Sequence, residues 1–324
     1  MNFTDINQEL NNRISGKIKI FLDSNKNVLP NDYRINNIIA QESYDFRAEK
    51  MNKLREYTGR NIICYYSAWV QKPINNPDFI INDNDINGFM NAIQGMDKNK
   101  GLDLMIQTPG GSVTATESIV IYLKKIFNND IRVIVPHLAM SAGTMIACAS
   151  KEILMGKQSS LGPIDPQYKN VPTQGVIKEF KRAFDEISAD PNKSLIWREI
   201  IKQYRPTFVG ECENIVDMAD SIVREWLKDN MLSDDKDADV KIKTIMKEIS
   251  DHDSSKVHDR HYDYEKCKEL GLNVLPIECN QELQDRVLEL YHSYVSSTYV
   301  LKTAIKYIES DNNRTFVINA VKEV

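Results

Sequence analysis

Ile131-Arg-Val-Ile-Val-Pro-His-Leu-Ala-Met-Ser-Ala-Gly-Thr144 is the stretch on which the fold turns. Its first five residues, Ile131 to Val135, form a short apolar and largely β-branched run, which predicts a buried strand. Pro136, which has no backbone donor, closes that strand. Ala142 to Ala149 is small and apolar and reads as a buried helix. Between strand and helix, Met140-Ser141-Ala142-Gly143 sets a hydroxyl in a turn flanked by small residues.

The same strand, turn and helix order recurs upstream. Leu102 to Gln107 predicts a strand, Thr108-Pro-Gly-Gly111 a turn, and Ser112 the start of a helix running to about Phe127. Asn61 to Tyr66 is a further buried strand, followed by a helix capped by Asp83 or Asp85 and reaching about Met96. Ile153 to Met155 is a fourth strand, leading into Leu161-Gly-Pro-Ile-Asp-Pro166. Strands apolar on both faces and alternating with helices imply βαβ units around a largely parallel sheet, an α/β fold.

Beyond Pro172 the texture becomes charged and amphipathic. Residues 174–250 read as three or four helices broken at Pro191 and Pro206, and residues 262–272 as a short helix ending at Gly271. Asn280 to Ser310 predicts one long helix whose stripe of Leu283, Val287, Leu290, Tyr291, Tyr294 and Tyr299 serves packing or subunit contact. The expected divisions are an N-terminal helical arm (1–58), a core (59–172 with 252–279), a helical insertion (173–251) and a C-terminal helical tail (280–324).

Composition narrows the function. With 324 residues, 42% hydrophobic and 27% charged, the chain can bury a sizeable core. A net charge of -5 argues against a nucleic-acid partner, which needs clustered excess Lys and Arg. No run approaches the roughly 18 to 20 apolar residues of a membrane span, and the polar N-terminus has no signal-peptide core, so a cytoplasmic location is expected. Cys64, Cys148, Cys212, Cys267 and Cys279 are scattered and lack CxxC spacing, which suits reduced thiols. His252, His258 and His261 match no strong zinc pattern, and Gly110-Gly111 lacks the continuation of a P-loop or Rossmann fingerprint. Neither metal nor cofactor is expected.

Alone, Gly110-Gly111 would be an ordinary turn and Ser141 an ordinary helix cap. Together, at the ends of two strands of one α/β unit, they face one crevice. There one turn can supply oxyanion donors and the other a nucleophile. Ala142 and Gly143 are small enough to admit a carbonyl to the serine Oγ, and the helix dipole favours developing negative charge.

On these residues, the stretch from about 100 to 170 resembles the superfamily of ClpP and signal peptide peptidase A, which shares the crotonase fold. More closely it resembles the serine dehydrogenase proteinase family. The matching motifs are Gln107-Thr-Pro-Gly-Gly111, Val135-Pro-His-Leu-Ala-Met-Ser-Ala-Gly-Thr144, Ser160-Leu-Gly-Pro-Ile-Asp-Pro-Gln167, and His258-Asp-Arg-His-Tyr262 leading into Cys267-Lys-Glu-Leu-Gly-Leu272. The resemblance implies a ClpP/crotonase-like spiral of βαβ units, Ser141 as nucleophile, and the N–H groups of Gly110, Gly111 and Ala142 as oxyanion donors.

The base stays open. ClpP uses His and Asp, and signal peptide peptidase A uses Lys. The stretch matching the ClpP histidine is Pro163-Ile-Asp165, which holds no histidine, whereas His258-Asp259 falls near the ClpP aspartate. One arrangement is therefore Ser141 with His258 as base and Asp165 or Asp259 orienting it. The other is a Ser-Lys dyad with Lys193. His137 is expected to hold the nucleophile loop, and Arg260 with His261 to meet a peptide carboxylate or a neighbouring subunit.

The function implied is a soluble, ATP-independent serine peptidase acting on peptides or unfolded segments as a homo-oligomer. A non-catalytic oligomeric scaffold or sensor is the alternative, motivated by the missing histidine. Crotonase-like acyl-CoA chemistry fits less well, because it needs no serine at that turn.

Overall fold

Asn61-Ile-Ile-Cys-Tyr-Tyr-Ser67 and Leu102-Asp-Leu-Met-Ile-Gln107 have almost no polar face, so each can only be a strand covered on both sides. The computed structural model of the chain describes residues 2–25, 32–168, 171–250 and 260–320. In it these runs are strands β1 (Asn61–Ser67) and β2 (Leu102–Gln107), and every residue of both is buried. They join β3 (Ile131–Val135), β5 (Glu152–Met155) and β9 (Val274–Pro276) in parallel. The two-residue strands β4 (Leu138–Ala139) and β6 (Ser160–Leu161) pair with each other outside this sheet. A short antiparallel pair, β7 (Gln167–Tyr168) and β8 (Val171–Pro172), follows them.

Among the described residues the central sheet has seven strands in the order β11-β10-β1-β2-β3-β5-β9. Its first two members in that order, the latest in the chain, correct the expected helical tail. A helix does begin at Gln281, capped by Asn280, but it ends at Val300. Ala304–Ser310 (β10) and Arg314–Asn319 (β11) then form a hairpin that adds antiparallel strands to β1. The reason is visible in Ala304-Ile-Lys-Tyr-Ile-Glu-Ser310, where alternate side chains enter opposite faces and all seven residues are buried. The Asp311 to Asn313 turn, with Asn313 at φ 61, closes the hairpin.

One face of the sheet carries α3 (Asp85–Ile93), α4 (Val113–Phe127) and α5 (Ala142–Cys148), and the core there runs on into α8 (Phe208–Trp226), α9 (Ala238–Ile249) and α10 (Tyr264–Leu270). The helices of the 173–251 segment pack in two places. Ala219, Ile222, Val223, Trp226, Ile242, Ile245, Met246 and Ile249 belong to the main core. By contrast α6 (Thr173–Ala189) packs against the start of α8 in a small cluster around Val176, Phe208 and Cys212, with α7 (Ser194–Ile201) following α6 in the chain.

The other face is covered by α2 (Tyr33–Thr58) and the C-terminal helix α11 (Gln281–Val300), with α1 (Phe3–Ser24) laid over them through Ile6, Leu10, Ile14 and Phe46. The N-terminal helices form a packed layer, in which Ile6, Leu10 and Phe46 are fully buried. All five cysteines are unpaired, and only Cys279 is exposed. No helix among the described residues is long and apolar enough to cross a membrane.

Candidate active site

Among the described residues, two serines stand at helix N-caps and differ in what they do there. Ser112, before α4, has extended backbone (φ -66, ψ 128) and accepts a hydrogen bond from Ala115 N, as a capping serine should. Ser141, before α5, sits at φ 49, ψ -111 and makes no capping bond. That backbone is the first central position of a type II′ turn, where glycine is the usual residue. The hydroxyl is thus held in a strained turn and not spent on the helix.

The turn is fixed by a second tier of pairing just past the ends of the central strands. Thr108 N donates to Leu138 O (3.0 Å) and Met140 N to Thr108 O (3.0 Å). Leu138 and Ala139 pair with Ser160 and Leu161, and Leu161 exchanges both backbone bonds with Tyr262. Thr144 Oγ1 donates to Gly162 O (2.8 Å) and accepts from Gly162 N (3.0 Å), which ties the Gly162 to Pro166 segment to α5. Ile164 N donates to Ile249 O (2.7 Å), and Thr173 Oγ1 to Pro166 O (2.8 Å).

Both glycines of the facing turn are required by sterics. At Gly110 (φ +104) a β-carbon would lie 2.7 Å from Ser141 Cβ and 3.1 Å from Ala142 N. At Gly111 (φ +157) it would lie 2.3 Å from Ile81 O. Ile81 N donates to Gly110 O (2.8 Å) and Ser112 N to Ile81 O (2.9 Å). In a parallel bridge of that kind the middle residue, Gly111, directs its own N–H away from Ile81. Gly110 is different: its N–H already donates to Thr108 Oγ1 (3.1 Å), so it is removed from the expected donor set.

Asp165 is fully buried in the Gly162 to Pro166 segment. His258 and Asp259 lie outside the described residues, and only the strand-like anchor at Tyr262, downstream of them, is described. Lys193 is not brought to this turn. It ends a 3-10 turn beside α7, with 46% of its side chain exposed and its ammonium 3.5 Å from Glu186. A lysine works as a base when it is desolvated, and an exposed lysine facing a carboxylate is in the opposite environment.

His137 does hold the loop, through its backbone: its carbonyl accepts from Ser160 N (2.7 Å). Its ring is anchored as well, with Nδ1 3.1 Å from the Tyr291 hydroxyl of α11. Burial, and then the nearby His261, hold this imidazole below its ordinary pKa, so it favours the neutral form. His261 is exposed, and Arg260 pairs with Glu248 at 3.1 Å.

Sequence reading missed the segment behind the Gly-Gly turn. Ile81 grips both sides of Gly111, yet nothing in Asp78-Phe-Ile-Ile-Asn82 marks it locally. The available signal lay elsewhere, in a lysine and a glutamate inside the otherwise apolar Ala304–Ser310.

A protein of Methanocaldococcus jannaschii, described as uncharacterised, is 31% identical over 235 residues, 71% of each chain. A second uncharacterised protein of the same organism is 34% identical over 192 residues, 59% of each chain, so the match spans under two thirds of its length. Residues 69–315, which include the Gly-Gly turn, the Ser141 turn, the helices after Pro172 and most of the C-terminal hairpin, match the sequence profile of one family. The chain belongs to that family, the ClpP-like SDH-type serine proteinases.

Proposed function

We propose that the protein is a serine peptidase in which Ser141 is the nucleophile. The observation that carries this reading is the contrast between Ser112, which caps its helix, and Ser141, which is strained and caps nothing. Strain of roughly 1 to 3 kcal/mol at a non-glycine residue persists when surrounding structure enforces it, and such residues cluster at working sites.

In the proposed reaction a base takes the Ser141 Oγ proton while Oγ bonds to the substrate carbonyl carbon. The carbonyl π electrons move to oxygen, and that oxyanion accepts from Gly111 N–H and Ala142 N–H. Collapse expels the amine, which receives the proton from the base and leaves an ester on Ser141. Water, activated by the same base, hydrolyses the ester. Neither N–H has an acceptor among the described residues, which suits the role. Each oxyanion donor is worth about 3 to 4 kcal/mol of transition-state stabilisation.

His258 is the proposed base, with buried Asp165 as the group that orients it and Asp259 as the second choice. Two observations support it: Tyr262 is bonded to Leu161 beside the Ser141 turn, and Asp165 follows on the same Leu161 segment. Substrates are peptides or unfolded segments, handled without ATP by an oligomer of this chain.

A fluorophosphonate probe tests the reading. Wild-type protein is expected to label on Ser141, and Ser141→Ala to stay unlabelled. Absence of wild-type labelling at any protein concentration would overturn the peptidase and favour a non-catalytic scaffold. His258→Ala is expected to slow labelling at least about 100-fold, with the wild-type rate rising through about pH 6 to 7 as an imidazole loses its proton.

A further inference from the structure

Lys306 and Asp85 are charged, fully buried and absent from the reaction just described. Lys306 Nζ donates to Asp85 Oδ1 (2.8 Å) and Oδ2 (3.0 Å), and also to Ile80 O (2.8 Å). Asp85 Oδ2 accepts from the Tyr65 hydroxyl (2.8 Å) and from Asn82 N (3.1 Å). The ion pair therefore holds the backbone on both sides of Ile81, through Ile80 O and Asn82 N. Ile81 in turn holds the backbone on both sides of Gly111, through Gly110 O and Ser112 N.

Burying an ammonium and a carboxylate is costly, and replacing such a pair by apolar side chains is often neutral or stabilising. A pair buried between β10 and the start of α3 thus calls for a role beyond cohesion. Gly111 can present its N–H only while Ile81 stays where it is, since a shift of Ile81 redirects the bonds that orient the Gly111 peptide. We infer that the buried Lys306–Asp85 pair, with Tyr65, positions the Gly111 N–H for the oxyanion, acting through Ile81. The inference rests on the peptidase reading for its consequence on rate, and on geometry alone for its effect on Gly111.

The same strand provides a control. Glu309, three residues along β10 from Lys306 and facing the other side of the sheet, pairs with Arg47 at 2.8 Å, and both are 2% exposed. That pair touches α2 and α11 but no part of the Gly-Gly turn. Disrupting it should lower stability as much as disrupting Lys306–Asp85, while leaving Gly111 in place.

The experiment compares Lys306→Met, Tyr65→Phe and Arg47→Met in full-length protein by two readouts. The first is the fluorophosphonate reaction at Ser141, separated into its maximal rate and its half-saturating concentration. The second is the amide spectrum of 15N-glycine protein, in which Gly110 and Gly111 report directly. Lys306→Met is expected to lower the maximal rate about 10- to 100-fold at unchanged half-saturation, part of the roughly 100- to 1000-fold that loss of a donor costs. It should also shift the Gly110 and Gly111 amides. Tyr65→Phe keeps the packing and should give the same signature at about 2- to 5-fold, so the test survives if Lys306→Met does not fold.

Arg47→Met should leave both readouts at wild-type values despite a lower melting temperature. Unmoved glycine amides in Tyr65→Phe and Lys306→Met, or equal changes in Arg47→Met, would overturn the inference. A wild-type protein that never labels, in which the amides still move with Lys306→Met, would sink the peptidase reading and leave the positioning intact.

Discussion

Gly110 lies against Ser141 so closely that a β-carbon on the glycine would stand 2.7 Å from the serine Cβ. The two turns are thus built around the absence of one methyl group. Gly110→Ala adds that methyl at φ +104, a backbone alanine rarely adopts. It is expected to cost about 1 to 3 kcal/mol in urea denaturation. Displacing Ser141 by even about 1 Å should slow fluorophosphonate labelling about 100-fold. Labelling at the wild-type rate would show that the contact does not set the site.

Ser141→Gly should stabilise the protein while abolishing labelling. At φ 49, ψ -111 a serine is strained and a glycine is not, so relief of roughly 1 kcal/mol is expected in chemical denaturation. Ser141→Ala keeps the β-carbon and should show no such gain. Equal stability of the two variants would remove the argument from strain.

Acid should unfold the protein partly through Glu309. Burial alone would raise its carboxyl pKa, but the Arg47 guanidinium, with Thr315 and Tyr294, reverses this and holds it below the ordinary 4.5. A depressed carboxyl binds its proton in the unfolded chain first. Its stability is therefore full above about pH 4.5 and is lost as pH falls through the folded value. Denaturation between pH 7 and 3 should show this fall in wild type and a shallower one in Glu309→Gln. The variant should also lose about 3 to 5 kcal/mol at pH 7, because Arg47 is left buried without its anion.

Lys193→Ala is expected to label within twofold of wild type and to melt at the same temperature. The side chain is exposed and, among the described residues, pairs with Glu186. A loss of tenfold or more, with folding intact, would restore a Ser-Lys dyad.

Much of the site was legible because it is local in the chain. Gln107 to Gly111 and Val135 to Thr144 each hold a strand end, a turn and a helix start within a few residues, and short-range sterics dictate those conformations. The division of labour between the glycines was not legible. Only the bond from Gly110 N to Thr108 Oγ1 takes one of the two from the donor set. Lys193 sat at a plausible chain spacing, but spacing carries no information on which surface a helix turns outward.

By itself the sequence determined the alternation of apolar strands with helices, the two facing turns and Ser141 between small neighbours, since these follow from periodicity and backbone sterics. Tertiary structure decided the rest. The helix expected to run on to Ser310 stops at Val300, and Lys306 and Glu309 are buried in a strand where Asp85 and Arg47, more than 200 residues away in the chain, neutralise them. A charge can be buried only where its partner is waiting, and that partner is chosen by the fold and not by any neighbour in sequence.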